Sequence, residues 1–393
     1  MGVQPGIGSG ALPLIAQRLR AAASATSTSS ECMSRKKYAA APPSRNPAGE
    51  GVVASGRSAS LVDVAALVGV SVGTVSRALS RPEMISEVTR RRVQQAVEQV
   101  GYVPNGSARA MAMRRTMTVG AIIPRFGSIS FATMVQTLES ALAQAGYTLL
   151  LTAPDRLNPE PAKLVHKVLS RNVDALVLLG SEHPPEVLTV LAQRSIPFVQ
   201  VWTLDGRYGP CVGFDEQLAA GLVIDYLAAG GHRRVGFLGG YRAGNQRAQA
   251  RFAGVTRAIA RHGLTLREDA VLEVEYGFRE GFDAMRRVIA ARTDVTAMVC
   301  GNDYLAAGAL AALDKAGIDV PGQMSVVSFN DNEFAPFLHP PLTTVHLPIS
   351  EMGSAAARLL LTRLAGDAGP SSVNIPVELI ERESAGPAPA ERG

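Results

Sequence analysis

LVDVAALVGVSVGTVSRALS, residues 61–80, reads as two short helices around a glycine turn. Leu61, Val64, Ala65 and Val68 fall at i, i+3, i+4 and i+7, one apolar face of a helix, and Gly69 ends it. Ser71 is placed to cap a second helix through its hydroxyl. In that helix Val75 and Leu79 fold back onto the first, while Val72, Gly73, Ser76 and Arg77 face outward. A third helix is signalled by Ser86 as cap, Glu87 at the positive helix end, and Val93, Ala96, Val97 and Val100 at the same spacing. Helices so arranged form a helix-turn-helix, whose second helix is suited to the major groove of DNA. Any small helical hairpin shares this spacing, so the residues that follow matter. Gly101-Tyr-Val-Pro-Asn105 ends the third helix with a glycine, sets Pro104 as a breaker and offers Asn105 as cap of a short fourth helix over 106–113.

The order D-V-A-x-x-x-G-V-S-x-x-T-V-S-R, then a third helix, Y-x-P-N, a hinge and a long α/β domain resembles the lactose-repressor (LacI/GalR) family of bacterial transcription regulators over about residues 60–384. Asp63, Val64, Ala65, Gly69, Val70, Ser71, Thr74, Val75, Ser76, Arg77, Tyr102, Pro104 and Asn105 stand where that pattern expects them. The resemblance implies that Arg77 donates to a guanine edge while Thr74 and Ser76 hold phosphates. Val72 and Gly73 occupy the positions that usually vary the base read, and glycine has no side chain to contact one. It further implies hinge residues Asn105, Ala108 and Met111 over the minor groove, with Met111 as the wedge. A linker methionine packed into a core is the alternative for Met111.

Charge divides the chain in the same way. Between Arg57 and Thr116 stand nine arginines against four acidic residues, an excess equal to the whole chain's formal +5. A basic head on a near-neutral body binds phosphate and weakens with salt. The 393 residues, 47% hydrophobic and 19% charged, suffice for several domains. Cys32, Cys211 and Cys300 form neither a disulfide framework nor a metal spacing, so the expected compartment is a reducing cytoplasm. No apolar run is long enough to span a bilayer. Residues 1–58 are rich in Ala, Ser, Gly, Pro and Arg without apolar periodicity and are expected to be disordered, as is a tail over 385–393. Met33 offers translation starting downstream as a second account of that first stretch.

From Thr118 onward, runs of buried-strand type alternate with helices, which implies parallel sheets covered on both faces. One set includes Val119–Pro124, Thr148–Thr152, Ala175–Leu179 and Phe198–Val201; a second begins near Gly213 with Val235–Gly239, Ala297–Cys300 and Ser325–Phe329. A last helix to Leu364 and a strand near 373–379 cross back. The expected fold class is therefore α/β: a three-helix headpiece (59–103), a hinge helix (104–116), then two parallel-sheet lobes (117–384) of the periplasmic-binding-protein-like type that the resemblance implies. Lobe 1 is expected over about 117–212 and 346–368, lobe 2 over about 213–345 and 369–384.

By family position, Arg251 clamps a sugar hydroxyl or carboxylate, an ion pair to a neighbouring helix being its alternative. Asn302 matches the ligand asparagine, Asp303 is expected to cap the next helix, and Asn330 replaces an aspartate, which eases entry of an acidic ligand. Phe131, Trp202 and Tyr276 are expected to line the cleft, where an aromatic face stacks on a sugar ring. The Trp202 loop followed by Cys-Val-Gly-Phe-Asp215, with Arg251 and no aspartate at 330, resembles the gluconate-type branch.

Enzyme signatures are missing from the sequence. The glycines of 236–244 lack the lysine and hydroxyl of a phosphate loop, the six histidines form no HExxH, and the one G-x-S-x-G run, over 69–73, falls between two helices and not at the strand-to-helix elbow of a nucleophile. Neither a cofactor nor a metal is expected. The expectation is a homodimeric, ligand-responsive repressor on a pseudo-palindromic operator in double-stranded DNA, its effector a sugar or sugar acid. A sugar-binding transport module is the alternative; it would need a secretory signal and have no use for residues 60–113.

Overall fold

The computed structural model describes residues 59–103, 110, 115–124, 127–154 and 160–390. The expected 1–58 extension and the hinge residues Asn105, Ala108 and Met111 lie outside them.

Helices α1 (Leu61–Val68), α2 (Val72–Ser80) and α3 (Glu87–Val100) form the headpiece. The Asp63 carboxylate accepts from the Ser60 N–H and O–H at 2.8 and 2.7 Å, which starts α1. Gly69 ends it at φ 74°, a left-handed conformation costly for residues with a Cβ. The apolar spacing then does its work: Val64, Val68, Val75, Ala78, Val93 and Ala96 share one small core. Each fully buried valine there contributes about 1.5 kcal/mol or more. Arg92 ties α3 to α1 by donating to the Val68 carbonyl at 2.8 Å.

The body holds two six-stranded sheets. In the first, β1 (Thr118–Ile122), β2 (Thr148–Thr152), β3 (Ala175–Leu179), β4 (Phe198–Val201), β5 (Cys211–Gly213) and β11 (Ser372–Asn374) run in the order β11-β5-β4-β3-β1-β2, all parallel. Its crossovers are α4 (Ile129–Gln144), α5 (Pro161–Leu169) and α6 (Pro185–Gln193). The second orders β6 (Arg234–Gly240), β7 (Thr265–Val274), β8 (Ala297–Cys300), β9 (Ser325–Asn330), β10 (Thr343–His346) and β12 (Glu378–Ile380) as β12-β10-β9-β8-β6-β7, with only β12 antiparallel. Around it lie α7 (Glu216–Ala229), α8 (Gln246–His262), α9 (Phe278–Ala290) and α10 (Asp303–Lys315), while α11 (Ile349–Leu364) packs back on α4 and the first sheet. Central strands such as Ala175–Leu179 are unbroken apolar runs because helices cover both faces.

Two expectations need correction. The single strand near 373–379 is two strands in different sheets, so 372–374 belongs with the first lobe. Pro376 lies between them, and a residue without an N–H cannot continue a ladder. The tail through 390 is ordered: the Gly386 carbonyl accepts from buried His232 at 3.1 Å and the Ala388 N–H donates to the Gly230 carbonyl at 2.8 Å. Strand β7 escaped the sequence reading because an edge strand carrying Arg267, Glu268 and Asp269 lacks a buried-strand signature.

Candidate functional site

The headpiece exposes one face of α2. Ser71 Oγ accepts the Thr74 N–H at 3.1 Å, while Val75 and Ala78 anchor the inner side. Val72, Gly73 and Arg77 are exposed, and Thr74 and Ser76 are half-buried. The Thr74 hydroxyl lies 2.9 Å from Ser71 Oγ, so one of its hydrogen bonds is already made within the helix cap. A Cβ at position 73 would lie 3.8 Å from Arg77 Nη2, an ordinary contact, so Arg77 does not require the glycine.

A cavity of about 340 Å³ lies between the lobes, where strand ends and helix starts converge. Phe131 enters from the first turn of α4 and Trp202 from the end of β4; Asn330 ends β9, Asn302 follows β8, Tyr276 follows β7 and Arg251 projects from α8. All six line this one cavity. The Trp202 ring meets Phe131 and Phe214 edge-on, with centroids 5.1 and 6.1 Å apart. Tyr276 fits because β6 ends in glycine: a Cβ on Gly240 would lie 2.4 Å from its ring.

Arg251 makes the ion pair that was its alternative. Its Nε and Nη2 donate to Glu216 Oε2 at 2.9 and 2.7 Å, Nη1 donates to the Gly301 carbonyl, and the guanidinium lies 4.4 Å from the Phe329 ring centre. Most of its fork is therefore spent on the protein. One helical turn earlier, Arg247 enters the same cavity with no hydrogen-bond partner among the described residues. Its guanidinium carbon lies 5.7 Å from both the Phe131 and Trp202 ring centres. Removal from water pulls its pKa down, with Tyr276 and Glu216 opposing. The i, i+4 spacing of the two arginines was the signal for Arg247, and a choice made by family position passed over it.

The expected roles of Asn302 and Asp303 are exchanged in part. Asn302 Oδ1 caps α10 by accepting the Leu305 N–H at 3.0 Å, which leaves its NH2 group for the cavity. Asp303 is fully buried and accepts from Ser328, Thr344 and both the backbone and side-chain N–H of Asn332 at 2.5–2.9 Å. Burial pushes its pKa up to about 6 against the pull of those donors. From there a polar chain crosses between lobes, since Ser130 Oγ donates to Asn332 Oδ1 at 3.3 Å and accepts from Asn330 Nδ2 at 3.1 Å. On another side of the cleft, Gln246 and Ser181 exchange hydrogen bonds at 2.8–3.2 Å. Tyr304, another cavity residue that the sequence did not reveal, accepts the Ile129 N–H at 3.1 Å.

Among the described residues no group of three or more His, Cys, Asp or Glu is placed to hold a metal, and no single helix is long and apolar enough to cross a membrane.

Comparison with known proteins agrees with this arrangement of a DNA-reading headpiece on a two-lobed binding body. Residues 60–105 match the model of bacterial regulatory proteins of the lacI family, and residues 224–385 that of a periplasmic binding protein-like domain. The chain is 30% identical to the HTH-type transcriptional repressor PurR of Pectobacterium carotovorum subsp. carotovorum (strain PC1), over 84% of this chain and 98% of the relative. Its structure resembles the transcription regulator GntR from Chromobacterium violaceum with a TM-score of 0.63 and 30% identity, covering 68% of this chain and 99% of that one. The lac repressor dimer bound to operator and the anti-inducer ONPF shares the fold with a TM-score of 0.75 at 24% identity, over 84% and 99% of the two chains. The protein is a DNA-binding transcriptional regulator rather than an enzyme. It belongs to the LacI family.

Proposed function

We propose that this regulator is a dimeric repressor of a pseudo-palindromic operator, released or recruited by an anionic polyhydroxy compound of the sugar-acid class such as gluconate. One observation carries the choice of ligand: the interlobe cavity is lined by two arginines and, among the described residues, by no carboxylate. Arg247, with its fork uncommitted, is the group that holds the acid, and a charge-assisted hydrogen bond of this kind contributes about 1.5–3 kcal/mol. Arg251, fastened by Glu216, positions rather than clamps. Asn302 and Asn330 offer amides to hydroxyls, and Phe131, Trp202 and Tyr276 offer rings to the C–H face of the sugar. Ligand bridging both lobes biases their relative placement, and the hinge over 104–116 transmits that bias to the headpieces. Dimerisation follows from one headpiece per half-site, and the cytoplasm is where its operator lies.

Five aromatic side chains around the cavity support a second reading, a planar heteroaromatic acid stacked between rings. Titration of the full chain with gluconate, related sugar acids, neutral sugars and a planar heteroaromatic acid such as nicotinate, followed by Trp202 fluorescence with and without DNA from upstream of its gene, separates these readings. A sugar acid that shifts the fluorescence and changes DNA affinity upholds the proposal; binding of neutral sugars alone or of nicotinate alone, or ligand binding without DNA binding, overturns it.

A further inference from the structure

A second cavity, of about 380 Å³, adjoins the first, and Trp202 and Arg247 line both. The two chambers differ in charge. Beyond Trp202 the wall carries three carboxylates, Asp205, Asp215 and Glu216, where the first chamber has none among the described residues. All three are engaged: Asp205 with Arg207 at 2.6 Å, Asp215 through Oδ1 with the Gln217 and Leu218 N–H groups at 3.0 and 2.9 Å, and Glu216 with Arg251 at 2.7 Å through Oε2. Glu216 Oε1 is different. It is buried, on a side chain 7% exposed, and has no hydrogen-bond partner among the described residues. Trp202 Nε1, on a side chain also 7% exposed, is likewise without a partner among them. A buried acceptor and a buried donor left unmade are destabilising, and a ligand that supplies the missing partners relieves both.

We infer that the chamber beyond Trp202 is a second subsite, which takes the hydroxyl-rich end of an extended effector while Arg247 holds its acid in the first. The inference rests on the sugar-acid reading of the first chamber. Glu216 Oε1 and Asp215 accept from sugar hydroxyls, Trp202 Nε1 donates to a ring or linking oxygen, and the carboxylate wall turns the anionic end toward the arginines. Each chamber alone is near the lower end of the usual range for ligand pockets, about 300–1,000 Å³, whereas the joined space suits two sugar units. The chemical class is therefore a glycosylated aldonic acid rather than a single sugar acid.

Calorimetric titration of the full chain with gluconate, a glucosyl-gluconate and the neutral disaccharide cellobiose tests this. The glucosyl-gluconate is expected to bind at least about tenfold more tightly than either of the others. Ala250, which is half-buried on α8 and lines only the second chamber, gives a blocking variant. Ala250→Phe is expected to reduce the glucosyl acid to the affinity of gluconate and leave gluconate within about twofold. Asp215→Asn keeps an acceptor for the Gln217 and Leu218 N–H groups that Asp215 caps, and is expected to weaken the glucosyl acid alone by about fivefold. If the glucosyl acid binds no tighter than gluconate, or if Ala250→Phe weakens both equally, the second subsite is overturned and the acid reading stands. If cellobiose binds as tightly as the glucosyl acid and is still lost in Ala250→Phe, the second subsite stands and the acid reading of the first chamber falls. Binding of none of the three overturns both.

Discussion

The reading face of α2 and the interlobe cavity are built on opposite plans. The cap and the apolar spacing of α2 lie within ten residues of sequence, from Ser71 to Ser80, so short-range spacing suffices to place Arg77 opposite the side that packs on α1 and α3. The cavity draws its wall from α4, the ends of β4, β8 and β9, the start of α9, and α8, segments that span residues 127–330. A substitution in the first plan acts on DNA and should leave the second untouched, and the reverse should hold as well.

Arg77→Ala gives the sharpest test of that separation. Loss of a bidentate base contact costs about 1–3 kcal/mol per half-site, so a dimer is expected to lose up to about 10⁴-fold in operator affinity. Fluorescence titration of the cavity is expected to be unchanged, and a parallel loss there would break the comparison. Arg247→Ala is the converse. Effector affinity is expected to fall about 10- to 150-fold, with operator affinity in the absence of effector preserved in a gel-shift titration.

Asp303 separates folding energetics from recognition. An aspartate with an ordinary pKa of 3.8 is raised to about 6 here, so between those values the folded state holds a proton that the unfolded chain releases. The stability due to that proton is complete below the unfolded value and is lost as pH rises through the folded value. Asp303→Asn is expected to cost about 1–2 kcal/mol, because one amide hydrogen now faces donors, and to flatten the pH dependence of Tm between about pH 4 and 6. An unchanged slope would remove Asp303 as its source. The smallest effect is expected at the lobe bridge. Gln246→Ala leaves the Ser181 N–H and hydroxyl without their interlobe partner and is expected to change effector affinity by about 0.5–1.5 kcal/mol while Tm stays within a few degrees.

The legibility of each element follows the same contrast. All three headpiece helices and seven strands of the two sheets were readable, since their apolar periods are local and strong, whereas the buried β5 and β10, three and four residues long, show none. The six cavity residues taken from the family resemblance meet around one space, yet their roles were not readable. Arg251 and Arg247 sit one turn apart on the same helix, and only the position of Glu216, thirty-five residues earlier in the chain, determines which of them is spent. Asn302 and Asp303 are adjacent, and the depth of Ser328, Thr344 and Asn332 decides that the aspartate turns inward while the asparagine caps.

By itself the sequence determined that a basic three-helix headpiece precedes a body of parallel α/β units, because helical and strand periods and clustered charge are properties of neighbouring residues. Tertiary structure alone decided that residues 372–374 and 378–380 join different sheets, that the tail through 390 packs around His232, and that Arg247, unlike Arg251, has no hydrogen-bond partner among the described residues. Hydrogen-bond partners far apart in sequence compete for each polar group, and the outcome of that competition is fixed only once the chain has brought them together.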